Sequence, residues 1–384
     1  MPKRVGIDCQ KILTPGGGGA GIEHYVWHLV TVLAGLSDRK LRLCLFLHPD
    51  LKDSSVANDL SGQPAVDVDF YPSEVLERKT WWPYTKYKRL TKFLADKKLD
   101  LLHGPANVTP LFYQGPTVVT VHDLIIYDHP EWFPDGVSGW FWRRQLVPQA
   151  IKKATRIIAV SRYTKRQVAR HFRRRPEDID VIYEGVTTTQ TKPETSFLAA
   201  NNITRPFLLY IGTIEPRKNL RRVIEAFARV RKSQPELSLV IAGKKGWKYE
   251  SVFAAVKGLG LERDVIFCGY VDNDQKTALY QAAQAFLFPS LAEGFGLPVL
   301  DAMQSGVPVL TSNNTSLVEV AGEAALKVNP HSVTEIAQAM QKISSDKSLR
   351  KQLVAKGEVQ AQQFSWQNAA RQTLATYHKA ISND

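Results

Sequence analysis

Short apolar runs recur along the chain, and between them the apolar positions fall at helical spacing. Val5 to Cys9 is a strand-like run, Thr14 to Gly21 is turn-forming, and Ile22, Tyr25, Val26, Leu29, Val30 and Leu33 then share one helix face. Further strand-like runs follow at Leu41 to Leu47, Leu101 and Leu102, Val118 to Val121 and Ile157 to Val160. Helical patterns lie at Tyr84 to Ala95 and Trp140 to Lys153. After Tyr183 the stretch Glu184 to Pro206 is rich in Thr, Asn and Pro, and reads as a linker.

A second alternation then begins: strand Phe207 to Ile211, helix Leu220 to Val230, strands Leu237 to Ala242 and Val265 to Cys268, helix Asp274 to Ala283 and strand Ala285 to Phe288. Helix Leu297 to Gln304, strand Pro308 to Leu310 and two late helices complete it, with Trp366 to Ala380 the last helical segment. Strands alternating with helices imply parallel sheets covered on both faces. The expectation is an α/β protein of two Rossmann-like, doubly wound domains facing across a cleft, 1–190 and 203–365, with ligands at the carboxyl ends of the strands.

The length, 384 residues, suits two cores, and 44% hydrophobic with 23% charged residues excludes disordered and disulfide-scaffold classes. No apolar run is long enough to span a bilayer and the start lacks a signal-peptide stretch, so a cytoplasmic protein is expected. The three cysteines, at 9, 44 and 268, have no metal or redox spacing and read as buried thiols. The net charge of +13 favours anionic partners. It is concentrated in the first half: ten Lys or Arg and no acid lie between Lys152 and Arg175, and eight basic residues with one acid, Asp96, between Arg78 and Lys98.

The candidate chemistry sits at strand-to-helix junctions. TIEPRKNL, Thr213 to Leu220, follows a strand and places Arg217 and Lys218 at a helix start, where two cations and free amides suit a diphosphate. EGFGLPVLD, Glu293 to Asp301, holds Gly294 and Gly296, which permit close backbone approach, and Leu297 and Pro298, which begin a helix. Carboxylates such as Glu293 and Asp301 accept from pairs of sugar hydroxyls. TVHDL, Thr120 to Leu124, puts His122 at a strand end, where a ring nitrogen could bond a hydroxyl. The glycine loop Gly16 to Gly21 matches neither a P-loop nor a dinucleotide fingerprint. His24 and His28 have helical i, i+4 spacing but no third ligand, and no zinc site is expected.

These segments, with VIAG (Val240 to Gly243), FCGYV (Phe267 to Val271), FPSLAEGFGLPVLDAM (Phe288 to Met303), GVPVLTSN (Gly306 to Asn313) and, more loosely, AVSRYT (Ala159 to Thr164), resemble retaining glycosyltransferases of the GT-B architecture, specifically glycosyltransferase family 4. The resemblance covers nearly the whole chain. It implies a nucleotide-sugar donor held mainly by the second domain, an acceptor held mainly by the first, and a last helix, 366–384, crossing back to the first.

Carried over residue by residue, Arg217 and Lys218 would neutralise the donor diphosphate, near Gly18 and Gly19. Glu293 would bond sugar hydroxyls, helped by the Gly294, Phe295 and Gly296 amides. Asp301 would take the ribose, one methylene shorter than the family's glutamate. Tyr270 and Val271 would lie near the base and His122 near the transferred sugar, while Gly212, Gly243 and Leu297 join the donor site through their motifs. The implied reaction is hexose transfer with retention by a front-face mechanism, in which the leaving phosphate helps deprotonate the acceptor. Neither cofactor nor metal is expected.

Bacterial mannosyltransferases of surface-polysaccharide assembly look most similar, so GDP-mannose is the first expectation for the donor and a UDP-hexose the second. The acceptor would be a saccharide or lipid-linked saccharide. A nucleotide-sugar epimerase or hydrolase is the rival within this architecture. A nucleic-acid-binding protein is the rival outside it, but no recognisable module or stacking platform accompanies the charge, and no nucleic-acid partner is expected. Trp81, Trp82, Tyr84 and Tyr87 among Lys79, Lys86, Lys88, Arg89 and Lys92 suggest docking on an anionic membrane surface; aromatics packed in the core are the alternative.

Overall fold

The computed structural model describes residues 1–12, 21–36, 40–73, 83–134, 136–187, 193–204 and 206–382. Two compact units emerge. Unit 1 comprises Met1–Tyr127, Asp135–Gly185 and Trp366–Asp384; unit 2 comprises Asp128–Pro134 and Val186–Ser365. Against the expected first domain, 1–190, the segment Asp128–Pro134 groups with unit 2. The reason is local: the Trp247 indole N–H donates to the Trp132 carbonyl at 2.6 Å, the Lys248 ammonium to the Glu131 carbonyl at 2.6 Å, and Phe133 stacks on Trp247. The expected linker region contains a short helix, Ser196–Ala200.

Unit 1 is built on a parallel sheet of β1 (Lys3–Cys9), β2 (Leu41–Leu47), β3 (Val66–Phe70), β4 (Leu101–Gly104), β5 (Thr117–Val121), β6 (Arg156–Ala159) and β7 (Ile179–Val181), in the order β3-β2-β1-β4-β5-β6-β7. Its central strands are apolar throughout because helices cover both faces: β5 is buried at every position. β3 and β7, which the apolar pattern does not reveal, are edge strands. In β3 the side chains alternate with aspartates, and Asp67 pairs with Arg42 at 2.6 Å, charge that guards an open edge against further pairing.

The helix Trp366–Ser382 belongs to this unit. Its Tyr377 hydroxyl meets His103 Nδ1 at 2.7 Å, and His103 Nε2 meets the Thr120 hydroxyl at 2.8 Å. Burial holds His103 down to about pKa 3, so this core network stays neutral. The expected helix Trp140 to Lys153 is observed as a helix Val137–Phe141, a π turn Trp142–Leu146 and a helix Val147–Lys153. Pro148 has no N–H to close an ordinary helical turn, and the ladder widens so that Val147 N–H reaches the Trp142 carbonyl.

Unit 2 repeats the arrangement with β8 (Phe207–Ile211), β9 (Ser238–Ala242), β10 (Val265–Gly269), β11 (Ala285–Phe288), β12 (Val309–Ser312) and β13 (Ala325–Val328), all parallel, in the order β10-β9-β8-β11-β12-β13. In both sheets the strand order reverses once, between β1 and β4 and between β8 and β11. Such a reversal leaves a crevice at the carboxyl ends of the two strands, where open α/β sheets bind ligands.

Candidate active site

The crevice of unit 2 is where TIEPRKNL and EGFGLPVLD meet, since the first follows β8 and the second follows β11. Pro216–Lys218 forms a single 3-10 turn, and Asn219 then takes a left-handed conformation, φ 64°, before the helix Leu220–Arg231. The Asn219 side-chain amide holds that conformation by donating to the Pro289 and Pro330 carbonyls at 2.9 and 2.7 Å. Leu291 N–H donates to the Arg217 carbonyl at 2.8 Å, so the two loops are stitched together by backbone as well as side chain.

Arg217, Lys218 and Glu293 form one buried cluster. Lys218 Nζ donates to Glu293 Oε1 at 2.7 Å, and Arg217 Nη1 donates to Glu293 Oε2 and to the Ala292 carbonyl. Glu215, also buried, accepts from Arg217 Nε at 3.0 Å. Two cations thus balance two carboxylates. Burial alone would raise the Glu293 carboxyl, but Arg217 and Lys218 outweigh it and hold the group below the usual glutamate range. Burial and the neighbouring Arg217 charge hold Lys218 below the usual lysine range, despite its carboxylate partners. Lys218 Nζ also lies 4.8 Å over the Phe288 ring.

The loop after Glu293 is fixed from below. The Ser316 hydroxyl lies 2.8 and 2.7 Å from the Glu293 and Phe295 carbonyls, its single proton shared between them, and Phe295 packs edge-on against Phe364. Gly296, at φ 121°, caps the helix Leu297–Gln304, whose first amides point toward this loop. Behind the cluster, Gly212 and Gly243 approach so closely that a Cβ on Gly243 would sit 2.0 Å from the Gly212 carbonyl oxygen, at φ 147°. Gly243→Ala is therefore expected to lose at least about 1–3 kcal/mol of stability, seen as a lowered melting temperature. An unchanged melting temperature would show that these loops yield.

Asp301, inside the helix Leu297–Gln304, pairs with Lys276 at 3.1 Å and lines a pocket of about 220 Å³ with Thr187, Tyr280 and Gln304. Tyr270 is 55% exposed with Lys244 Nζ 4.4 Å over its ring, and Val271 beside it is nearly buried. Gly18 and Gly19 lie outside the described residues.

His122 belongs to unit 1 and stands at the expected strand end, directly after β5. The ring is buried: Nε2 donates to the Pro105 carbonyl at 2.8 Å, and Nδ1 lies 3.2 Å from Glu184 Oε1. Its backbone N–H is taken by Asn107 Oδ1 at 2.7 Å, which turns the side chain inward. Both ring nitrogens are engaged.

Sequence reasoning missed Glu184, Glu215 and Lys276. Glu215 lies inside the TIEPRKNL segment and could have been read as the partner of Arg217. No sequence pattern ties Glu184 or Lys276 to a partner far along the chain. Among the described residues, no group of three or more His, Cys, Asp or Glu side chains is placed to hold a metal ion.

The family described as Glycosyl transferases group 1 matches residues 192–360, and Glycosyltransferase Family 4 matches residues 19–190. The chain is 33% identical over 292 residues to O-antigen chain mannosyltransferase B of Escherichia coli, covering 74% of this chain and 75% of that protein. The chain belongs to the group 1, family 4 glycosyltransferases. This glycosyltransferase is also 26% identical over 317 residues to O-antigen chain mannosyltransferase RfbU of Salmonella typhimurium, covering 82% and 84% of the two chains. Its fold resembles that of sucrose-phosphate synthase from Thermosynechococcus elongatus, with a TM-score of 0.76 at 19% identity over the full length of both chains. The α/β, GT-B fold class follows. Among the described residues no helix of this glycosyltransferase is long and apolar enough to cross a membrane.

Proposed function

We propose that this glycosyltransferase moves a mannosyl group from GDP-mannose to a saccharide or lipid-linked saccharide acceptor of surface-glycan biosynthesis, with retention at the anomeric carbon and without a metal ion. The observation that carries the reading is the buried Arg217, Lys218 and Glu293 cluster at the strand-order reversal of unit 2, beside a helix start. Two relatives named as O-antigen mannosyltransferases support the choice of sugar.

A donor diphosphate competes with Glu293 for the two cations, and the negative charge it gains on leaving strengthens its hold on them. Cations that are already in place and shielded from water stabilise that charge without reorganising. Glu293, which keeps spare lone pairs on both oxygens, accepts from sugar hydroxyls, and the amides of Gly294, Phe295 and Gly296 donate alongside. The bond from C1 to the phosphate oxygen breaks, the bond from C1 to the acceptor oxygen forms on the same face, and the acceptor proton passes to the departing phosphate. The Asp301 carboxylate takes the ribose hydroxyls in exchange for part of its pairing with Lys276, and Tyr270 and Val271 border the base.

A thermal-shift panel of nucleotide sugars, followed by transfer of labelled hexose, tests this. GDP-mannose is expected to raise the melting temperature most. A larger shift with a UDP-hexose would reassign the donor, an inverted product would overturn the front-face step, and free sugar released from donor alone would mark a hydrolase.

Transfer is expected to persist in EDTA, because Arg217, Lys218 and the helix start supply the positive charge that a divalent ion would otherwise bring. Complete loss restored by Mg or Mn would refute it.

A lipid-linked acceptor would also bring the protein to an anionic surface. The basic groups do not all serve this. In the Lys152 to Arg175 run, Arg156 pairs with Asp180, and Arg174 and Arg175 pair with Asp178. Tyr87 packs in the core, and Lys79, Trp81 and Trp82 lie outside the described residues. Lys88, Arg89 and Lys92 are exposed on the helix Pro83–Ala95 and supply the contact. Salt-sensitive co-sedimentation with acidic vesicles is the expected result, and no binding at low salt would leave a water-soluble acceptor.

A further inference from the structure

The loop that leaves β9 carries two lysines in succession, and their side chains go to different places. Lys245 Nζ lies over the Tyr249 and Phe253 rings, 5.4 and 4.8 Å from their centres. Lys244 Nζ lies 4.4 Å over the ring of Tyr270, at the exit of β10. The backbone around Lys244 is tied on both sides: Gly243 N–H donates to the Gly269 carbonyl at 2.6 Å, and Ile214 N–H donates to the Lys244 carbonyl at 2.9 Å. Lys244 therefore stands with the segment that carries Arg217 and Lys218 on one side and Tyr270 on the other. Tyr270 is itself turned outward. β10 slips register between Phe267 and Gly269, and Gly269 then takes φ 70°. Such irregularities re-aim the end of a strand, and here they leave the Tyr270 ring 55% exposed. An exposed ring with a cation held over its face is a stacking surface for a base.

The chemistry of the ammonium selects among bases. It only donates. Guanine presents two acceptors side by side, O6 and N7, on one edge, whereas adenine sets an amino donor beside its N7 and uracil offers O4 alone. The opposite edge of guanine carries N–H donors, which repel an ammonium and call for a carboxylate. Asp272, the nearest carboxylate in sequence, is already used as a cap: it accepts from Gln275 N–H at 2.9 Å in a capping box at the start of the helix Asn273–Ala282.

We propose that Lys244 sets the base of the donor: the base stacks on Tyr270, and the Lys244 ammonium donates to O6 and N7 of guanine. The proposal rests on the nucleotide-sugar reading for the presence of a nucleotide, and adds to it the residue that chooses the base.

Calorimetric titration of the full chain with GDP, IDP, 7-deaza-GDP, ADP and UDP tests it. IDP lacks only the N2 amino group and is expected to bind as tightly as GDP, because its O6 and N7 are intact. Loss of N7 in 7-deaza-GDP is expected to weaken binding roughly 10-fold. Lys244→Met is expected to bring GDP and IDP down to about the affinity of ADP, and Lys244→Arg to keep the preference. The Lys244 side chain is exposed, so its replacement reports on recognition and not on folding. An equal loss for all five nucleotides in Lys244→Met would put the ammonium on the diphosphate and overturns the proposal. IDP binding far more weakly than GDP overturns it too, since the donor edge would then be the one read. A GDP preference that survives Lys244→Met overturns the proposal and leaves the GDP-mannose reading standing, while a wild-type preference for UDP overturns both. The expected pattern in a protein that transfers no mannose from GDP-mannose would sink the choice of sugar and support the base readout.

Discussion

Lys218→Ala is expected to lower turnover at saturating donor by about 10²- to 10³-fold, roughly 3–4 kcal/mol in the barrier, with the fold retained. The size follows from where the ammonium sits. The Lys218 side chain is only 11% exposed, with Nζ 2.7 Å from Glu293 and already committed to the crevice, so its attraction for a departing diphosphate is little screened by water. The negative charge it meets grows as the glycosidic bond breaks, so the loss falls on turnover more than on donor affinity. Arg217→Ala is expected to fall in the same range, because its guanidinium joins Glu215 and Glu293 in one plane of donors. Steady-state kinetics over a range of donor concentrations check both. Turnover near wild type in either variant at saturating donor removes that side chain from the reaction.

Glu293→Ala is expected to have the second large effect, on stability as well as activity. Removing the carboxylate leaves two buried cations with Glu215 alone, and breaking a buried pair in this way costs about 3–5 kcal/mol. Glu293→Gln keeps the shape and loses the charge, and separates the two roles: activity falls through weaker bonds to sugar hydroxyls and loosened cations, with a smaller stability loss.

The pH dependence has a definite sign. The folded protein holds the Glu293 carboxyl below its ordinary value, so the folded state binds that proton less readily than the unfolded state does. The stabilisation is present above the ordinary glutamate pKa of about 4.5 and is lost as pH falls through the folded value. Urea midpoints measured from pH 7 downward are therefore expected to drop more steeply below about pH 4.5 in the wild type than in Glu293→Gln. Parallel profiles would mean that Glu293 is not held ionised by Arg217 and Lys218.

The central strands were legible because helices cover both faces of each sheet, which forces continuous apolar runs such as Phe207 to Ile211 and Ala285 to Phe288. Of the four edge strands, only Val265–Gly269 was caught by the same reading. Val66–Phe70 and Ile179–Val181 have one neighbour each, so polar residues there cost little, and their pattern blurs into loop. The π turn at Trp142–Leu146 was hidden for another reason: apolar spacing reports which face is buried, while the widening depends on one missing N–H, that of Pro148.

The site divides along a similar line. Arg217, Lys218, Glu293 and the glycines around them stand in contiguous strand-to-helix segments, so the sequence alone identifies them as candidates and names the family they resemble. Local order is written in local sequence because a 3-10 turn or a helix start depends on neighbours a few residues away. Partnership is not. That Lys276 holds Asp301 and that Glu184 faces the His122 ring are decided by which strands lie side by side. Strand order is set by packing across the whole sheet, and it is this long-range choice that brings distant charges together.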